Sequence, residues 1–253
     1  MKMRAGVLIL LIIASVLMQQ YLGFDLLDTL LVLGAVYIIF FWVFNFLLQR
    51  AFETKMHPDT YVKMNRLKAA YAGRGTKGQA AGKLNAAVGL LDQGKGEAAE
   101  EEVADITARI EYLSPSIQHL YKIVTGTAAL YRQDVRAAEK ALARSTLDSQ
   151  IQAPQKREVA FARALLYLTM RDKVRAEEQV ARLNEPKNNR DQLKRLYVLG
   201  WLLHLKGERE KAAKAMDPIL ENGQHLWFSK EAVLLKQAAE EGREYEPWTT
   251  IQE

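Results

Sequence analysis

Two long runs without a charged residue open the chain, at 5–22 and 29–48. About 20 residues at a rise of ~1.5 Å each cross a hydrocarbon core of roughly 30 Å. Only a helix satisfies its own backbone hydrogen bonds in lipid, so the pattern predicts a transmembrane helical hairpin over 1–49, in contact with the bilayer through 5–48. A signal peptide is the rival for the first run, with Lys2 and Arg4 before an apolar stretch from Leu8 to Met18. Gln19-Gln20-Tyr21-Leu22 offers no small-x-small cleavage site, so the run reads as an uncleaved anchor. Past Leu48 the apolar residues recur at three- and four-residue intervals, as in Tyr61, Met64, Leu67 and Tyr71, which is the period of amphipathic helices.

Charge gives the anchor a direction. Lys2 and Arg4 precede the first run, Arg50, Lys55, Lys63, Arg66 and Lys68 follow the second, and the connection between them holds no Lys or Arg. The positive-inside rule therefore places both termini in the cytoplasm. Between Arg50 and Lys77 seven basic residues face only Glu53 and Asp59. With Met56-His57-Pro58-Asp59 as a helix start, the segment suits a short helix that lies on anionic lipid at about 1 kcal/mol per basic residue or docks on the following domain, or else a solvated connector whose charges set topology alone. Gly73, Gly75, Gly78 and Gly82 read as a flexible boundary, which makes 50–79 a basic juxtamembrane segment and linker.

From residue 80 the pattern repeats. Ser114-Pro115 and Ala153-Pro154 each open a helical run, 39 residues apart. Tyr131-Arg132-Gln133-Asp134-Val135-Arg136-Ala137 returns 39 residues later as Met170-Arg171-Asp172-Lys173-Val174-Arg175-Ala176. Asp92-Gln93-Gly94-Lys95-Gly96-Glu97 falls in the same register upstream, and Lys206-Gly207-Glu208-Arg209 arrives slightly early downstream. Each copy lies between two apolar-periodic runs, so each is the turn of a helical hairpin. The expected fold is all-α: a two-helix membrane hairpin, an α-solenoid with a C-terminal capping helix over 80–242, and a polar tail over 243–253.

Leu196, Leu199-Gly200, Leu203, Gly207, Ala212, Met216 and Ile219 resemble the spacing of large, small and turn positions in the tetratricopeptide repeat family. Gly126 with Ala138, Ala164 with Ala176 and Ala87 with Ala99 look like the family's paired small residues, where two helices approach closely. The period of 39 is longer than that family's usual one, and a HEAT-like array has a similar period. The resemblance implies a groove lined by the first helix of each repeat that binds a protein or an amphipathic peptide. Carried onto this chain, its positions include Tyr131, Phe161, Lys194, Tyr197, Trp201 and His204. The alternative for these residues is packing between repeats or beneath the C-terminal helix.

Chemistry beyond binding has little support in the residues. The chain has no cysteine, which removes disulfides, thiolate metal sites and a thiol nucleophile. Its four histidines lie far apart in sequence, without metal-ligand spacing. Gly89 to Lys95 has P-loop spacing, but Gly96 stands where a Ser or Thr would hold magnesium, and the run before it is helical in pattern. Lys and Arg exceed Asp and Glu only by 35 to 30 over 253 residues, too little for a nucleic-acid footprint. The expectation is a non-enzymatic adaptor without cofactor or metal, holding a partner at the cytoplasmic face of a membrane. An accessory subunit of a biosynthetic or envelope-assembly process is the alternative. The layout of two spans followed by helical repeats is similar to that of the HemY family of bacterial inner-membrane proteins, which implies a bacterial cell membrane.

Overall fold

The computed structural model describes residues 13, 16–17, 19–21, 23, 25–143, 149, 151 and 153–251. The first apolar run lies mostly outside the described residues, as do Lys2 and Arg4. The chain divides into a unit over Met1–Arg50 and a unit over Ala51–Glu253.

In the first unit, helix α1 (Leu26–Glu53) starts at Asp25, whose carboxylate accepts the backbone N–H of Asp28 at 2.8 Å. This satisfies one of the donors that a helix start leaves open. Its stretch Leu27–Arg50 is 24 residues long, and is long and apolar enough to cross a membrane. Leu27, Leu31, Ile38 and Trp42 are all exposed on it. Water around such a continuous apolar surface is unfavourable, whereas lipid is not.

The second unit is built of helices joined by turns, with no strand among its described residues. After the last turn of α1 come α2 (Pro58–Ala72) and α3 (Lys77–Asp92), then α4 (Gly96–Val103) and a 3₁₀ stretch over Ala104–Tyr112. Three further hairpins follow: α5 (Pro115–Tyr131) with α6 (Val135–Leu142), α7 (Ala153–Thr169) with α8 (Lys173–Ala181), and α9 (Asn189–Leu205) with α10 (Arg209–Asn222). Helix α11 (Trp227–Glu241) packs on α10 and α9. Along the array α3, α5, α7 and α9 stack on one another, and each also packs against the shorter helix that follows it.

The four hairpin turns share one backbone geometry. Gly94, Gln133, Arg171 and Gly207 have φ of +79°, +59°, +57° and +82°. The next residue in each turn donates its N–H five residues back: Lys95 to Leu90, Asp134 to Ala129, Asp172 to Tyr167 and Glu208 to Leu203, at 2.8–2.9 Å. This is the Schellman closure, which uses carbonyls left unpaired at a helix end. Asp134 and Asp172 then cap the following helices, accepting from Ala137 and Arg175 N–H at 3.0 Å. In backbone terms Gln133 matches Arg171, 38 residues on, one residue off the 39-residue match of letters. The capping aspartates set the register, and the Val135 to Val174 similarity does not follow it.

Two boundaries differ from the sequence expectation. Gly73 and Gly75 do form a turn, with φ of +86° and +79°, but Gly78 and Gly82 are helical positions of α3. A Cβ on Gly82 would lie 2.9 Å from the Ala69 Cβ, and one on Gly89 2.7 Å from the Val62 Cγ2. These glycines let α2 and α3 meet at close range. The short helix expected from Tyr61, Met64, Leu67 and Tyr71 is α2, which docks on α3 with Val62, Asn65 and Ala69 buried, and only the end of the glycine stretch departs from the expected boundary. The expected polar tail holds Tyr245 and Trp248, both buried.

Candidate partner-binding surface

The six groove residues expected from the sequence come together on the face formed by the first helices, and that face is covered by the chain itself. Tyr131, Phe161, Lys194, Tyr197 and Trp201 are all buried, and His204 is half-buried. The cover comes from the start of α11 and from the non-helical residues after it. Tyr131 meets Trp227 edge-on at 5.1 Å, and Phe161 lies 6.3 Å from Phe228. Tyr197 packs between Trp227 and Phe228 at 5.6 and 5.4 Å. Trp201 contacts Tyr245 at 5.3 Å and Trp248 at 6.0 Å, and Trp248 stacks on Trp227 at 5.3 Å.

Hydrogen bonds fix this aromatic set. The phenol oxygens of Tyr197 and Tyr245 are 2.9 Å apart, and Tyr245 donates to the Glu231 carboxylate. Glu231 is fully buried on α11 and also accepts the Thr250 N–H at 2.9 Å and the Thr250 hydroxyl at 2.8 Å. Tyr131 donates to the Leu91 carbonyl at 2.9 Å. Burial pushes the phenols of Tyr131, Tyr197 and Tyr245 well above their usual pKa, aided by nearby Asp92 for the first and by Glu231 for the second. All three stay neutral donors.

Beside the aromatic set lies a buried ion cluster. Arg190 on α9 reaches Asp92 through two nitrogens and Glu158 through a third. Lys194, one turn on, binds Glu158 at 2.9 Å and Asp92 at 3.3 Å. The Arg190 guanidinium also sits 4.2 Å over the Phe52 ring, and the Lys194 ammonium 4.8 Å from the centre of Phe161. Burial alone would raise the Glu158 carboxyl, but Arg190 and Lys194 hold it far below the usual carboxylate range. Burial likewise works against the Arg190 charge, and Asp92 and Glu158 outweigh it. Two positive and two negative groups leave the cluster neutral, which is the condition under which charges are tolerated inside a protein.

At the other end of the α9 stripe, burial and the Arg209 charge lower the His204 pKa, and its Nδ1 is buried without a hydrogen-bond partner. His57 and His225, distant in sequence, bring their rings to 4.6 Å. Among the described residues no group of three or more Asp, Glu or His is arranged to hold a metal.

The sequence reading missed Glu231, Tyr245 and Trp248 as parts of this surface. Two aromatics three residues apart in an otherwise polar stretch were the available signal, since exposed aromatic pairs at a chain end are costly in water. It also missed the Arg190 cluster, because Asp92, Glu158 and Arg190 lie on three different helices and share no spacing rule. Comparison with family models, with curated proteins and with solved structures gives no match.

Proposed function

We propose that this chain is a membrane-anchored, tetratricopeptide-like adaptor that holds a protein or peptide partner at the cytoplasmic face of a membrane. The single observation carrying this reading is the presence, in one chain, of an apolar helix over Leu27–Arg50 and a stack of four helical hairpins. Stacked hairpins present a long continuous surface whose usual use is to hold another chain. In this reading the first apolar run forms a second span, and the basic residues Arg50 to Lys68 keep both termini on the cytoplasmic side.

Purification of the full chain from detergent-solubilised membranes, after cross-linking in the cell, tests the adaptor role. A stoichiometric protein partner is the expected result, and a chain that emerges alone from several independent preparations speaks against it. Reporter fusions at Glu253 and Gly23 test the topology. A signal from the far side of the membrane at Glu253 would overturn the orientation.

A further inference from the structure

Helix α2 carries two apolar faces, and the fold uses one of them. Val62, Asn65 and Ala69 are buried, at the contact with α3 where Gly82 and Gly89 admit the helix. On the opposite side Met64, Leu67 and Tyr71 recur at spacings of three and four, which sets them in one stripe. Leu67 is 46% exposed and Tyr71 39%. At about 100° per residue, Lys63 and Lys68 fall on the two opposite edges of that stripe.

The tether and the charge of the segment say what covers this second face. The apolar stretch of α1 ends at Arg50 and α2 begins at Pro58. Even fully extended, that connection spans no more than about 30 Å, so with Leu27–Arg50 across a bilayer α2 starts within that distance of the headgroups. Arg66 is paired with Glu102 of α4 at 2.7 Å, which removes it from the charges expected to meet lipid. Apart from that pair, Lys55, Lys63, Lys68, Arg74 and Lys77 stand against Asp59 alone between Thr54 and Gly78. A bilayer with anionic headgroups fits both halves of the pattern. Leucine and tyrosine side chains enter the acyl boundary, and lysine stems run along it while their ammonium groups reach the headgroups.

We propose that α2 is an interfacial helix, lying flat on an anionic bilayer surface with Met64, Leu67 and Tyr71 at the acyl boundary and Lys63 and Lys68 among the headgroups. This rests on the membrane-anchored reading and deepens it, because the helix that starts the array then also holds the array against the lipid surface.

The chain has no cysteine, so a single introduced thiol reports one position. The full chain in nanodiscs carries a bimane label on Leu67→Cys, on Val233→Cys in α11 or on Ile38→Cys in α1, all three at exposed positions that a label leaves folded. A nitroxide on the lipid acyl chain quenches a label that touches lipid. In nanodiscs with about one-third phosphatidylglycerol, quenching at Leu67 is expected to exceed that at Val233 about threefold. It should fall to nearly the Val233 level in neutral phosphatidylcholine discs, in about 0.5 M salt, or with Lys63→Glu. Quenching at Leu67 no greater than at Val233 in the anionic discs overturns the proposal, and so does equal quenching at Leu67 in neutral and anionic discs. A Leu67 label shielded from both the lipid nitroxide and aqueous iodide places a protein surface there, a second copy or a partner, and overturns it as well. The Ile38 label separates this inference from the anchor. Quenching at Ile38 without quenching at Leu67 leaves the anchor standing and removes the interfacial helix; the reverse result keeps the interfacial helix and removes the span; quenching at neither removes both.

Discussion

Tyr197 on α9 and Tyr245 in the non-helical segment after α11, 48 residues apart, meet phenol to phenol at 2.9 Å, and Tyr245 donates its own proton to Glu231. All three residues are buried, and Tyr245 satisfies one Glu231 oxygen while Thr250 satisfies the other, away from water. Replacing Tyr245 by Phe leaves the ring in place and removes one donor from a buried carboxylate. We expect a loss of about 1–3 kcal/mol in denaturant unfolding. An unchanged midpoint and slope would mean that Glu231 is satisfied without Tyr245.

Tyr197 and Trp201 separate packing from open-surface binding. Both rings are covered by Trp227, Phe228, Tyr245 and Trp248, and Trp201 is only 2% exposed. Truncating a covered aromatic to alanine costs about 3–5 kcal/mol, through lost burial plus the cavity left behind. Trp201→Ala should therefore lower the thermal midpoint by many degrees in circular-dichroism melts. A stable Trp201→Ala chain would place the ring on an open surface and contradict the packing described above.

Acid should act on the ion cluster. Arg190 and Lys194 overcome the burial penalty and hold Glu158 well below its ordinary 4.5, so the folded chain binds this proton less readily than the unfolded one. The stability that follows from this is fully present above the unfolded pKa and is lost as pH falls toward the folded value. Unfolding free energy should thus decline below about pH 4.5, the unfolded value for a glutamate. Glu158→Gln should flatten this decline, and at neutral pH it should cost up to about 3 kcal/mol, because Lys194 and one arm of Arg190 lose a buried partner. Equal acid slopes in the two proteins would assign the decline to other carboxylates.

The helical array was legible in the sequence because hairpin turns are local events. Gly94 and Gly207 mark two of them directly, and Asp134 and Asp172 mark the others through capping, so spacing alone located all four. The apolar run that becomes Leu27–Arg50 was equally plain, since it depends on composition within one segment. What escaped was long-range. Gly78 and Gly82 looked like a loosening of the chain, yet Gly82, with Gly89 further along, allows α2 to press against α3, and nothing local distinguishes a flexible glycine from one under contact. The burial of Tyr197 under Tyr245, like the meeting of Arg190 with Asp92 across 98 residues, depends on how the ends of the array close, and helical period carries no information on that.

The turns themselves give the sharpest test of the repeat geometry. Gln133 adopts φ of +59° at the position that Gly94 and Gly207 fill elsewhere in the array, and its side chain is exposed. A side chain at such a φ costs on the order of 1 kcal/mol, while glycine adds entropy to the unfolded chain, so Gln133→Gly should stabilise the protein by about 0.5 kcal/mol. Gly126 and Gly200 stand in the opposite situation, inside α5 and α9 at ordinary helical angles, where the second helix of the hairpin comes closest. A Cβ at Gly126 would lie 2.6 Å from the Leu142 Cγ, and one at Gly200 would run into the Met216 methyl and lie 3.3 Å from the Ala212 carbonyl oxygen. Gly200→Leu must push α10 away, and overpacking of this kind costs about 1–3 kcal/mol. Denaturant melts of Gln133→Gly and Gly200→Leu should therefore move in opposite directions from wild type. A destabilised Gln133→Gly would show that the turn is not held in the left-handed region in solution, and an unaffected Gly200→Leu that the two helices of the last hairpin do not meet at that residue.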